Sequence, residues 1–149
     1  MVIKRFWTTC VLLTFSASAF AANMLVYDGG GPQAGIQTAL TNLGMVFDLR
    51  NPGNPVTAAD LTSHSVLIAG WNYLGDMSGL SPSVLAAGIT GNVLLSGHDP
   101  EVHAPWGNTS ADTFLAQAVW FGQAGGGTGL VALADYSEAF AWLPEPWGV

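Results

Sequence analysis

The sequence predicts a three-layer α/β domain with a mostly parallel sheet of about five strands. Three observations carry that prediction. Short apolar runs recur at residues 24–27, 45–49, 65–69, 92–96 and 130–134. Each run is continuous rather than alternating, as expected of strands buried on both faces. Helical patterns lie between the runs, and strand alternating with helix gives parallel strands joined by right-handed crossovers.

The elements follow in order. After the first run, Pro32 suits a first helical turn, and Ile36, Leu40 and Leu43 fall on one helical face. Thr57 reads as an N-cap, with Asp60 as the acid of the first turn. Ser81 and Pro82 read as N-cap and first helical residue before 84–89. Phe114, Leu115, Ala118, Val119 and Phe121 make the strongest apolar stripe, and Trp120 within it reads as core. Gly125-Gly126-Gly127 reads as a flexible connection into the fifth run. A sixth short strand is expected at 139–143, before an apolar, Pro-rich end that a C-terminally truncated chain would have. The expected strand order is 2-1-3-4-5, the flavodoxin-like arrangement.

Residues 1–21 carry the parts of a secretory signal peptide. Lys4 and Arg5 form a charged start, 6–20 an apolar stretch, and Ala19-Phe20-Ala21 a small-x-small cleavage site. The stretch is too short and too rich in Thr and Ser for a membrane span. Cleavage before Ala22 leaves residues 22–149 as a single domain with no membrane span, exported to the periplasm or the extracellular space. Lys4, Arg5 and Cys10 leave with the signal. Arg50 then stands alone against ten acids, so the formal charge moves from −7 to −9. Such a chain has no basic surface for nucleic acid. It also has no disulfide and no cysteine nucleophile.

Ligands of open parallel sheets bind at the carboxyl ends of the strands, near the switch in strand order. Three loops fall there: 28–31, 70–73 and 97–103. The crevice they form is expected to use Asp28, Gly29, Gly30, Trp71, Asn72, His98 and Asp99. Gly29-x-Gly31-x-x-Ala34 matches the dinucleotide fingerprint, with Asp48 ending the second strand as the ribose-binding acid. The unit is short, and the plainer reading is a tight turn whose glycines allow positive φ. Residues 96–103 invite two further readings. A Ser96–His98–Asp99 triad fails because neighbours on an extended segment cannot align as nucleophile, base and orienter. His98, Asp99, Glu101 and His103 have the right chemistry for a divalent cation, although their spacing matches no strict motif. The plainer reading is a turn shaped by side-chain hydrogen bonds before Pro100. Among the aromatics, Trp71 and Trp106 lie at strand ends, where an exposed ring could stack on a sugar. His64 carries no motif and reads as an ordinary surface or turn residue.

The order of these pieces resembles the class I glutamine amidotransferase-like superfamily of flavodoxin-like domains, including the trehalose-utilisation type. The resemblance covers residues 24–134. It rests on Leu25-Val26-Tyr27-Asp28-Gly29, on Ser65-Val66-Leu67-Ile68-Ala69-Gly70-Trp71, and on the glycine-flanked strand 88–96 with its Gly97-His98-Asp99 turn. In true amidotransferases that turn carries the cysteine nucleophile. Here it reads Ser96-Gly97-His98-Asp99, so the resemblance implies the fold without amidotransferase activity. The chain also looks like exported bacterial proteins with a Pro-Glu-Pro sorting tail. Pro144-Glu145-Pro146 spells the tripeptide, but no apolar helix or basic cluster follows.

The expectation is an exported, non-catalytic binding or interaction module of the cell envelope, with a glycan or an envelope protein as partner and no cofactor. One alternative is a hydrolase using His98 as general base with Asp99 or Asp28, metal-assisted if Glu101 and His103 add a divalent cation. The other is a structural fragment of a larger surface protein.

Overall fold

The computed structural model describes residues 24–30, 35–71, 75–98 and 100–134. The elements run β1 (Met24–Asp28), α1 (Gly35–Asn42), β2 (Asp48–Arg50), α2 (Ala58–Ser63) and β3 (Val66–Trp71). They continue with α3 (Pro82–Gly88), β4 (Val93–Ser96), α4 (Pro100–His103), a 3-10 turn Ala104–Trp106, α5 (Thr109–Gln123) and β5 (Gly129–Ala134). The expected sixth strand at 139–143 lies outside the described residues.

All four strand pairings are parallel, and the five strands form one sheet between two helical layers, the flavodoxin-like class. The order differs from the expected one. It is 2-1-3-5-4, with β5 between β3 and β4. Burial gives the reason. β5, Gly-Leu-Val-Ala-Leu-Ala, is buried at all six positions, as a central strand must be. β4 has four residues, three of them at least partly exposed, which suits an edge.

Handedness then fixes the layers. Connections that step toward β2 use one face and those that step toward β4 use the other. The return from β4 to β5 steps toward β2, so α5 shares a face with α1. The cores agree. Val26, Val66, Ile68, Val131 and Leu133 pack under Ile36 and Leu40 of α1 and Leu115 and Val119 of α5. Leu25, Tyr27, Leu67, Leu130 and Ala132 point to the other face, under Leu61 of α2 and Leu85 of α3. Alternate residues of each strand therefore serve alternate layers.

The helix ends follow local chemistry. Thr57 and Asp60 form the expected capping box on α2. Pro82 opens α3, but the Ser81 hydroxyl bonds to Ser83 rather than to the helix backbone. Asn108 caps α5 by accepting from the Ser110 and Ala111 N–H groups, after Gly107 turns the chain with φ +83°. At the end of α1, Met45 N–H bonds to Leu40 O and Gly44 N–H to Thr41 O. Gly44 has φ +71°, so these two bonds complete a Schellman cap. That cap corrects the expected second strand. Met45 is used by the helix end, Met45 and Phe47 pack against the core on the α1 side, and β2 begins only at Asp48.

Two further expectations are corrected. Trp120 is not core. It is 71% exposed, and Phe121 is 45% exposed. The buried stripe of α5 is Ala111, Leu115, Ala118, Val119 and Gly122, and at 100° per residue Trp120 points away from it. Small residues dominate that stripe because α5 lies close to the sheet. A Cβ on Gly122 would come 2.7 Å from Val66 Cγ2. The Gly125–Gly127 stretch is also no loose connection. It packs against residues 90–92, and the N–H groups of Thr90 and Gly91 both donate to Thr128 O. No described helix is long and apolar enough to cross a membrane.

Candidate functional site

Register sets the ends of the strands that lead into the expected crevice loops in one row. Asp28 pairs with Gly70, Gly70 with Leu133, and Leu133 with Ser96. Asp28 and Ser96 therefore lie three strand spacings apart, about 14 Å across the sheet. The order 2-1-3-4-5 would have made that two spacings. The ends of β3 and β4 do not adjoin, because β5 stands between them.

At the end of β1, both carboxylate oxygens of Asp28 are engaged. One accepts from the Gly30 N–H at 2.8 Å and the other from Gln37 Nε2 at 2.5 Å. Asp28 thus ties the turn after β1 to α1, as a residue that shapes a turn does. Gly30 has φ +78°, the turn reading expected of these glycines. Gly29 is required by packing. A Cβ there would sit 2.9 Å from Asp76 O.

That packing comes from the segment 76–80, which folds back over β1. Asp76 N–H donates to Gly29 O, and the buried Tyr27 hydroxyl donates to Asp76 O at 2.7 Å. The same hydroxyl accepts from the Gly79 N–H at 3.0 Å. Burial pushes the Tyr27 hydroxyl above its ordinary pKa; the Gly79 hydrogen bond opposes this, and nearby Asp76 and Asp28 add to it. Hydrogen bonds from Ser78 hold the Asp76 carboxyl below the usual carboxylate range.

At the end of β4, Ser96 is buried and its hydroxyl accepts from the backbone N–H of His98 at 3.2 Å. The His98 side chain is exposed. The chain is extended only to this point. From Pro100 it is helical, where a loop was expected through His103. His103 and Trp106, three residues apart across this helical turn, meet edge to face with ring centres 5.6 Å apart. Trp106 is 75% exposed. It precedes the start of α5, on the α1 side of the domain and at the carboxyl end of the sheet.

Of the expected cation ligands, His98 and His103 are both exposed. Asp99, Asn72 and the side chains of Trp71 and Glu101 lie outside the described residues. Among the described residues, no three His, Cys, Asp or Glu side chains are grouped to hold a metal ion.

Arg50 is committed elsewhere. Its Nη2 meets Asp60 Oδ1 at 2.5 Å and its Nε meets Asp60 Oδ2 at 3.1 Å. The Thr57 N–H and hydroxyl also donate to Asp60 Oδ2. Burial pushes the Asp60 carboxyl up, but the hydrogen bonds from Arg50 and Thr57 outweigh it, and the group sits below its ordinary range.

His64 and Asp48 correct two readings. His64 is buried, and it bridges two elements rather than standing at the surface. Its Nε2 lies 3.0 Å from Asp48 Oδ2 and its Nδ1 2.7 Å from Asp60 O. Asp48 opens β2 instead of ending it. It is therefore at the amino end of the sheet, away from the glycine turn, and is misplaced as a ribose-binding acid.

A cavity of about 380 Å³ also opens at that amino end, between the ends of α2 and α3 and the start of β5. His64, Thr90 and Thr128 line it. Their polar atoms turn to the protein: Thr128 Oγ1 donates to Leu61 O and His64 O, and Thr90 Oγ1 accepts from the Thr128 N–H.

The sequence marks Trp106 as a strand-end aromatic, and the structure adds its contact with His103. The legible signal was their three-residue spacing, which brings side chains together only on a helical turn. Compared with protein-family models, with curated proteins and with solved structures, the chain matches none.

Proposed function

We propose that the protein is an exported, non-catalytic binding module of the cell envelope, and that its ligand is a glycan. The observation that carries the reading is the Trp106–His103 pair. A tryptophan left 75% exposed at the carboxyl end of a parallel sheet offers a stacking platform for a sugar ring. The near-perpendicular contact with the His103 ring restrains the tryptophan before any ligand arrives, which lowers the ordering cost of binding.

The neighbouring polar groups support binding over turnover. Asp28 spends both oxygens on the turn into α1, and the Ser96 hydroxyl accepts from a backbone N–H rather than from an imidazole. The one cation left after signal removal is paired with Asp60, which favours an uncharged ligand over a phosphorylated one. The amidotransferase-like ancestry belongs to the same proposal, with the Ser96-Gly97-His98 turn standing where that family carries its cysteine.

The test has two parts. Mass spectrometry of the protein recovered from its native envelope should give an N-terminus at Ala22; an intact Met1 would remove the export reading. The processed protein should co-sediment with purified envelope polysaccharide and release no new reducing ends from it. Failure to bind would sink the glycan reading, and release of sugar would replace it with an enzyme.

A further inference from the structure

We propose that His64 is a pH-sensitive latch: as an imidazolium it ties the short strand β2 to the end of α2, and as a neutral imidazole it gives up that tie. The placement of its two ring nitrogens carries the proposal.

Both nitrogens face acceptors. Nε2 lies 3.0 Å from Asp48 Oδ2, on β2. Nδ1 lies 2.7 Å from the carbonyl oxygen of Asp60, in α2. A neutral imidazole has one N–H and one lone pair, so either tautomer sets a lone pair against an oxygen. The doubly protonated ring donates at both ends. Ser63 agrees with that assignment. Its hydroxyl donates to Asp60 O at 3.0 Å, which leaves its oxygen, 3.0 Å from Nδ1, free to accept. The His64 side chain is only 7% exposed, so water is a poor substitute for either bond.

The bond to Asp48 is half of a matched set. Asp48 and Arg50 stand two apart on β2, on one face of the strand. Asp60 and His64 stand four apart, in the first turn and at the C-cap of α2. Asp48 pairs with His64 and Arg50 with Asp60, so strand and helix carry opposite charges at each step. Each helix charge also sits at the end of α2 that favours its sign. Arg50 keeps its charge throughout. Imidazole is the side chain whose charge changes between about pH 5 and 8.

The charged groups around the ring are Asp48 and Arg50 from β2 and Asp60 from α2, with the charge of Asp48 reaching Arg50 as well. The ends of α3 and the start of β5 contribute Gly88, Thr90 and Thr128 beside His64, none of which ionises. A ring with both bonds holds a proton that the neutral ring lacks. The tie is therefore complete at the acid end of that range and is lost as pH rises.

Urea denaturation of the processed protein at about pH 5.5 and 8 tests this, with Asp48→Asn beside wild type. The wild-type folding constant should be about three- to tenfold smaller at the higher pH, a moderate effect because Asp48 is 69% exposed. In Asp48→Asn the new amide can donate to an unprotonated Nε2, so its folding constant should stay within about twofold across the range. At the higher pH the amides of residues 48–50 should exchange with solvent faster in wild type than in Asp48→Asn. Nitrogen-15 spectra of the wild-type His64 ring at the lower pH should show both nitrogens protonated. A wild-type stability that does not change across the range overturns the proposal. So does a dependence that persists in Asp48→Asn, which assigns it to another group, or equal exchange of 48–50 in the two proteins. A His64 ring carrying a single proton at the lower pH overturns it as well.

Discussion

Asp28 and Ser96 sit in the same row of the sheet but three strands apart, because β5 runs between β3 and β4. Each ends its strand, and each is held by the turn that follows it. A catalytic or metal-binding crevice that used both strand ends would need side chains to reach across about 14 Å.

Substitutions at these two positions should therefore be independent. Asp28→Ala and Ser96→Ala should each destabilise the fold, through lost turn hydrogen bonds worth about 1 kcal/mol apiece. The double variant should equal the sum to within about 0.5 kcal/mol. Urea denaturation of the four proteins measures this, and a larger coupling would mean that the two strand ends share a site.

Asp60→Asn should destabilise the protein by about 2–3 kcal/mol, because it breaks a two-point pair with Arg50 and weakens the cap on α2. The sign with pH follows from the lowered carboxyl. Its contribution is complete above the ordinary value of 3.8 and is lost as pH falls through the depressed value. Melting temperatures followed downward from pH 5 should drop more steeply for wild type than for Asp60→Asn.

Tyr27→Phe should cost about 1–3 kcal/mol, since it leaves the buried Gly79 N–H without its acceptor. Here the pKa is raised. The contribution is complete below the ordinary 10.0 and is lost as pH rises through the raised value. The alkaline fall in stability above pH 10 should accordingly shrink in Tyr27→Phe, as read by denaturation across that range.

Gly122→Ala sets two effects against each other. Alanine favours the helix by about 1 kcal/mol. Its Cβ would come 2.7 Å from Val66 and 3.2 Å from Val131, β-branched residues of two central strands. Overpacking of this kind costs about 1–3 kcal/mol, and stiff valines cannot turn aside cheaply. Net destabilisation is expected. A rise in melting temperature would mean that α5 does not lie close over β3 and β5.

Much of the fold was legible because burial writes itself into the strands. The runs at 24–27, 65–69 and 130–134 became β1, β3 and β5, each apolar at its buried positions. The run at 45–49 misled because Leu40, Gly44 and Met45 build a helix cap, and an apolar residue in such a cap looks like the start of a strand. Strand order was written more faintly, in the contrast between a six-residue, fully apolar β5 and a four-residue β4. Trp120 misled because large residues dominate a hydropathy stripe, whereas a helix close to its sheet buries small ones such as Ala118 and Gly122. Individual site residues were the least legible. Asp28 in a glycine turn spells a ligand site and a turn brace equally well, and only its bonds to Gly30 and Gln37 separate the two.

The central claim is that Trp106 is a glycan platform. Isothermal titration of the processed protein with N-acetylglucosamine oligomers, a neutral envelope sugar, tests it most directly, with Trp106→Ala and Trp120→Ala beside wild type. Losing one stacking contact should weaken binding about tenfold or more in Trp106→Ala, at an unchanged melting temperature. Trp120→Ala, which removes an equally exposed tryptophan from the far end of α5, should bind as wild type does. Equal affinity in all three proteins, or no heat of binding in wild type, would contradict the claim.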